Sequence, residues 1–213
     1  MTQKKIASIG IDPGWKNLGL AVVTPTEKGK VKVLGSLTLN PSLGDLAFVE
    51  SLPIIINTLI PSTLDYDIQH LVIERYAPYN NVHSSESENI TMLIGMIRSK
   101  LYSQNACVEQ GLSAKLYRAI DWKVKMAQVN SRLYGFSNKS TCLDKNYSLQ
   151  MAHFITENPN PNSSTTLTLN KDTQIETVTK IKTDHEADAI CLAALPFFYE
   201  ENPQRKDGKT RCN

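Results

Sequence analysis

A chain of 213 residues has room for one medium domain with a proper core, or one domain carrying an insertion. Its 41% hydrophobic and 21% charged residues are ordinary for a soluble globular protein, and a formal net charge of +2 does not by itself mark a nucleic-acid binder. No apolar stretch approaches the ~20 residues of a membrane span, and the four cysteines contain no C-x-x-C pair, so neither a zinc knuckle nor a disulfide framework is expected.

Ile6 to Ile11 reads as a buried strand ended by the turn Asp12-Pro13-Gly14, which is not the pattern of a signal peptide. Leu18 to Val23 and Val31 to Leu39 read as two further strands of an antiparallel meander, with Thr26 to Gly29 turning between them. Phe48 to Leu59 carries apolar residues at helical spacing and stops near Pro61. His70 to Ile73 is a short apolar strand ending on Glu74, and Tyr76 to Asn81 forms a loop. Glu88 to Leu101 places Ile90, Leu93, Ile94, Ile97 and Leu101 on one helical face, and Ser113 to Tyr117 is the fifth strand. Asp121 to Val129 and Lys145 to Ile155 read as helices, and Glu157 to Ser164 as a linker. Thr166 to Asn170 and Gln174 to Ile181 form a hairpin in an insert at about 158–182, ahead of a last helix from Asp184 to Phe198. This order predicts one α/β domain over 1–200, with a mixed five-stranded sheet and helices on both faces, followed by a basic, flexible tail over 201–213.

Charge is unevenly spread. From Leu112 to Gln150 the basic residues Lys115, Arg118, Lys123, Lys125, Arg132, Lys139 and Lys145 face only Asp121 and Asp144, and the tail adds four more against Asp207. Such an excess can follow a phosphate backbone; it is equally what an ordinary solvated basic face looks like.

Three acids fall at special places. Asp12 and Glu74 end the first and fourth strands, and Asp188 lies in an apolar helix three residues after His185, on the same face. Open α/β sheets put their functional crevice at the carboxyl ends of strands. Two carboxylates gathered there repel, and a divalent cation with a preference for oxygen, Mg²⁺ or Mn²⁺, removes the conflict. A second cation between Asp12 and the helix pair would give two metals ~4 Å apart, an arrangement suited to phosphodiester hydrolysis. Taken singly, each position has a plainer reading: Asp12 as a turn or cap residue, Glu74 as the surface partner of Arg75, His185 as a hydrogen-bonded structural histidine, Asp188 as a loop anchor.

Ile9-Gly-Ile-Asp-Pro-Gly14 followed by Leu18-Gly-Leu-Ala-Val22 resembles the opening strand and hairpin of RuvC-type Holliday-junction resolvases, in the ribonuclease H-like superfamily. Leu71-Val-Ile-Glu-Arg75 resembles their second acidic motif, and His185-Glu-Ala-Asp-Ala-Ile190 their last helix. The resemblance implies that Asp12, Glu74, His185 and Asp188 are catalytic metal ligands for two Mg²⁺ ions, replaceable by Mn²⁺, with Asp184 and Glu186 ranked lower. It implies a lysine beside the scissile phosphate: Lys125 and Lys145 match the relevant segments, Lys145 better. It implies an aromatic stacked on a base after the second acid, where this sequence has Tyr76 and Tyr79 flanking Ala77. Trp15-Lys16-Asn17 departs from the family's smaller residues and is expected to reshape the DNA-facing surface. Lys16, Lys123, Lys125 and Lys145 complete the expected DNA contacts.

The implied function is paired, metal-dependent hydrolysis of opposed strands in a four-way DNA junction. A homodimer would match the substrate's twofold axis, with Glu88 to Leu101 as the interface helix and Met92 and Met96 as interface or core. The protein is expected in the cytoplasm of a bacterial or phage-infected cell, or in an organelle, with branched DNA as partner and neither membrane nor small-molecule cofactor. Rival readings are a ribonuclease H-like nuclease acting on flaps, forks or RNA–DNA hybrids, a junction binder without catalysis, and an ATP-binding protein of the actin and Hsp70 type. The last normally needs two such domains and a second Asp-x-Gly hairpin, and this chain shows no second copy.

Overall fold

The computed structural model describes residues 4–27, 29–40, 47–60, 65–76, 85–103, 113–134, 145–156, 166–169, 175–178 and 183–199. β1 (Lys5–Asp12), β2 (Leu18–Pro25) and β3 (Val31–Leu39) form the expected antiparallel meander. β4 (Tyr66–Arg75) lies parallel to β1 on its other side, and β5 (Ser113–Arg118) parallel to β4. These five strands are the expected mixed sheet. The hairpin β6 (Thr166–Leu169) and β7 (Ile175–Val178) extends it, because β6 pairs parallel with β3 through Ser36 and Thr166, giving seven strands in the order β5-β4-β1-β2-β3-β6-β7. The tail over 201–213 and the linker over 157–164 lie outside the described residues.

The helices divide between the two faces of the sheet. α1 (Ala47–Leu59) and α2 (Ser85–Ser103) cover one, burying Leu52, Ile56, Leu93 and Ile97 against Ile9, Ile11, Leu71 and Ile73. α3 (Ala119–Tyr134), α4 (Lys145–Ile155) and α5 (Asp184–Tyr199) cover the other, burying Trp122, Met126, Met151 and Leu192 with Ala21, Val23 and Val72. Strand side chains alternate between faces. Ser8, Gly10 and Asp12 of β1 therefore point to the α5 side, opposite to Ala7, Ile9 and Ile11.

α5 lies unusually close to the sheet, and two glycines permit it. A Cβ on Gly10 would stand 2.0 Å from the carbonyl oxygen of Ala189, and one on Gly19 would stand 2.0 Å from that of His185. The helix start is also tied down by polar contacts. Thr183 caps it, its hydroxyl accepting from the Glu186 backbone N–H at 3.1 Å and sharing a hydrogen bond of 2.8 Å with Thr38 on β3. The Glu186 carboxylate, fully buried, accepts from the Ser36 hydroxyl.

Several elements run longer than apolar periodicity alone predicts, β4 and α3 among them. β4 begins at Tyr66 rather than His70, since ladder hydrogen bonding to β1 carries its polar first half. α3 begins at Ala119, where Arg118 grips Asp121 in the first turn through bonds of 2.7 and 2.9 Å. Among the described residues, no helix is long and apolar enough to cross a membrane.

Candidate metal and nucleic-acid site

The register of β1 against β4 decides the site. The pairing starts with Lys5 opposite Tyr66 and Ala7 opposite Ile68, then slips by one at a bulge, so that Ser8 faces His70 and Ile11 faces Ile73. One further step sets Asp12 beside Glu74. Paired residues in a parallel ladder project to the same face, so both carboxylates emerge on the α5 side, at the carboxyl ends of neighbouring strands. Without the slip, Gln69 would pair with Ser8 and Asp12 would stand beside Ile73.

α5 brings its own pair over these two. His185 and Asp188 share one helix face, and His185 Nδ1 lies 2.6 Å from Asp12 Oδ2. α3 closes the other side: the Trp122 indole Nε1–H donates to Glu74 Oε2 at 2.7 Å, and Lys123 Nζ stands 3.5 Å from Asp188 Oδ2 and 5.1 Å from its own neighbour's indole centroid. The structure thus gathers Asp12, Glu74, His185 and Asp188, four residues separated by up to 176 positions in the chain, into one cluster.

Their electrostatics show the crowding. Burial pushes Glu74 from its ordinary 4.5 up to about 7, and the charges of Asp12 and Asp188 add to this while Trp122 and Lys123 oppose it. Burial likewise raises Asp188 from 3.8 to about 6, with Asp12 contributing and Lys123 and Ser148 pulling back. His185 rises because it hydrogen-bonds to Asp12, against the effect of burial. Asp188 Oδ1 is buried and makes no hydrogen bond of ordinary geometry among the described residues.

Among the described residues, no three His, Cys, Asp or Glu side chains stand arranged to hold a metal ion as they lie. Glu74 is drawn towards Trp122, and Asp12 towards His185. The donor set nevertheless fits a hard divalent cation. Burial and neighbouring charge raise the proton affinity of Glu74 and Asp188, Asp188 Oδ1 makes no hydrogen bond of ordinary geometry among the described residues, and oxygen is the ligand atom that Mg²⁺ and Mn²⁺ prefer.

These shifts predict how stability depends on pH when no cation is present. Glu74 and Asp188 bind protons more tightly folded than unfolded, so their contribution is most favourable below pH 4 and is lost as pH rises towards about 7 and about 6. His185 has the same sign, since its raised value stabilises the fold below 6.5 and that gain fades above it. Melting curves in EDTA should therefore fall from pH 5 to pH 8, and added Mg²⁺ should shrink the drop. A melting temperature that climbs over that range would contradict the crowded-acid picture.

The other residues singled out from sequence are placed as follows. Lys123, on α3, enters the cluster, whereas Lys125 Nζ lies 4.4 Å from the Tyr117 ring centroid. Lys145 is the first residue of α4, on the same face of the sheet as α5. Lys16 is exposed just past the Asp12 turn. Tyr76 and Trp15 pack against the core on the α1–α2 side, and Tyr79 lies outside the described residues. Asp184 is exposed and Glu186 faces Ser36, so neither joins Asp12. On α2, Met92 is half exposed and Met96 packs partly against the core. Sequence reading missed Trp122 as a partner of Glu74; a tryptophan next to a lysine in an amphipathic helix gives no sign of which acid it meets.

No protein-family model matches the chain, and no curated protein matches it in sequence. Solved structures do. RuvC of Thermus thermophilus in complex with a Holliday-junction substrate aligns with a TM-score of 0.57 at 15% identity, covering 93% of this chain and 96% of its own. A second Thermus thermophilus RuvC structure gives 0.54 at 18% identity, covering 92% and 95%. The yeast mitochondrial Holliday junction resolvase Ydc2 aligns at 0.48 and 18% identity over 93% and 79%, too loosely to bear on the fold. The chain accordingly has the ribonuclease H-like fold of the RuvC structures, with the hairpin β6–β7 added at the β3 edge of its sheet.

Proposed function

We propose that this chain is a divalent-cation-dependent endonuclease that resolves four-way DNA junctions, acting as a homodimer. The observation that carries the proposal is the convergence of Asp12 and Glu74, abreast at the ends of parallel strands, with Asp188 and His185 brought over them by α5. The fold shared with RuvC supports the choice of substrate, and Lys123 and Lys125 of α3 supply positive charge on the α5 side of the sheet.

Asp12, Glu74 and Asp188 would hold the cation or cations, with His185 either joining them or keeping Asp12 oriented. When bound, Mg²⁺ or Mn²⁺ would supply Lewis acidity at the scissile phosphate, two ions per site being the expected number. Lys123 balances Asp188 in the free protein and is placed to turn towards a phosphate once the acids are neutralised. Lys145, the first residue of α4, would add charge as the phosphate becomes more negative. Two copies related by a twofold axis would cut opposed strands, and the outward face of α2 around Met92 and Gly95 is the surface proposed to pair them.

Cleavage of a synthetic four-way junction should yield paired, symmetric nicks in Mg²⁺ or Mn²⁺ and none in EDTA. Linear duplex, flap and RNA–DNA hybrid should be cut at least tenfold more slowly. Faster cutting of a flap or hybrid would keep the site and replace the substrate, while folded protein that cuts nothing would remove the catalytic reading.

A further inference from the structure

Trp122 is a fully buried side chain in the core beneath α5, yet its one polar atom is spent on an acid of the site. The indole N–H has a single direction in which to donate, because Trp122 is wedged among the side chains of α3, α4 and α5 and cannot turn without opening that core. It meets Glu74 Oε2 at 2.7 Å, the length of a hydrogen bond to a charged acceptor. Glu74 comes from near the end of a strand, on a longer side chain with more torsions to adjust than the indole has. The rigid partner is therefore the tryptophan, and the movable one is the carboxylate.

We propose that Trp122 is a positioning residue for Glu74: by anchoring one carboxylate oxygen, it leaves the other directed at the cluster and so sets the affinity of the site for a divalent cation. The inference rests on the cation-binding reading of the site. A flexible glutamate that must be ordered by the ion loses rotamer freedom on binding, at a cost of about 1–2 kcal/mol for a long side chain. One already held by a fixed donor has met that cost in the folding of the core, and carboxylates that bind metals are usually supported in this way by a hydrogen bond of their own. Lys123 extends the arrangement. Its ammonium sits over the Trp122 ring and faces Asp188, so one dipeptide of α3 touches two of the three acids.

The test is a calorimetric titration of Mn²⁺ into DNA-free protein, for wild type and Trp122→Phe. Phenylalanine keeps an aromatic ring in the core and removes the donor. The expected result is a Kd weakened roughly tenfold to a hundredfold in the variant, the range found when a supporting hydrogen bond to a ligand is deleted. Binding equal within twofold would overturn the proposal while leaving the cation site standing. If wild type itself takes up no Mn²⁺, the reading of the site as a cation centre fails, and this proposal with it.

A second measurement guards against a variant that does not fold. The chain has two tryptophans, so ¹⁵N-indole spectra contain two N–H signals, assigned with Trp15→Phe. In the otherwise unaltered protein, Glu74→Gln should move the Trp122 signal upfield as its acceptor loses charge, and Mg²⁺ should shift it in wild type at the concentrations where binding saturates. A merely space-filling tryptophan would show neither change. A Trp122 signal indifferent to Glu74→Gln overturns the proposal.

Discussion

Asp12→Asn should abolish cleavage, by at least ~10³-fold, without lowering the stability of the cation-free protein. The size follows from removing a charged group placed against the reacting phosphate and its cations, where single polar groups are worth ~10²–10³-fold. The second half of the prediction is the more diagnostic. Asp12 is itself one of the charges that push Glu74 and Asp188 upward, so neutralising it relieves repulsion within a buried cluster. The amide oxygen can still accept from His185, so the contact between β1 and α5 survives. Activity should collapse while the melting temperature in EDTA at pH 7 holds or rises, the pattern of a site whose acids are kept for function at some expense of stability. Residual cleavage within tenfold of wild type would show that Asp12 is a turn residue. A large drop in melting temperature would show that its role is structural.

Gly10→Ala should destabilise the fold by about 3 kcal/mol or more, which for a domain of this size lowers the melting temperature by roughly 10 °C. The added methyl would lie 2.0 Å from the Ala189 carbonyl oxygen and 2.5 Å from the Ala193 amide nitrogen. Both are backbone atoms of α5, so no rotamer change makes room and the helix must lift. Lifting it opens the contacts of Ala187, Ala189, Ile190, Ala193 and Ala194, and draws His185 and Asp188 away from Asp12. Cation binding should weaken in parallel. Gly95→Ala provides the contrast, since nothing lies within 4 Å of its Cβ position on the exposed side of α2. There alanine should stabilise the unpaired protomer by about 0.5–1 kcal/mol through helix propensity, measured at concentrations below those at which copies pair. Equal, small effects at the two glycines, measured by denaturant unfolding, would contradict the close packing of α5.

Much of this protein is legible in its amino-acid order. The strand-turn pattern of Ile6 to Gly14, the meander after it and the amphipathic spacing of Glu88 to Leu101 each report a local preference, namely which residues can be buried and with what period. The same period places His185 and Asp188 on one face of a helix. The four residues that the fold brings together could therefore be picked out, as could the class of sheet that holds them. What neighbours along the chain could not decide was how the elements meet. The bulge at Gln69 sets Glu74 rather than Ile73 beside Asp12, and pairing register depends on the partner strand. The choice between Lys123 and Lys125 follows the rotation of α3, whose apolar face turns Trp122 into the core and carries the next residue to Asp188. Glu186 ranked below His185 and Asp188 as a ligand on α5, and its meeting with Ser36 on a strand 150 residues earlier assigns it to docking the helix. Composition and periodicity describe what each segment would bury. Which acid a buried indole meets, and which lysine reaches a carboxylate, is settled only when two segments distant in sequence pack against each other.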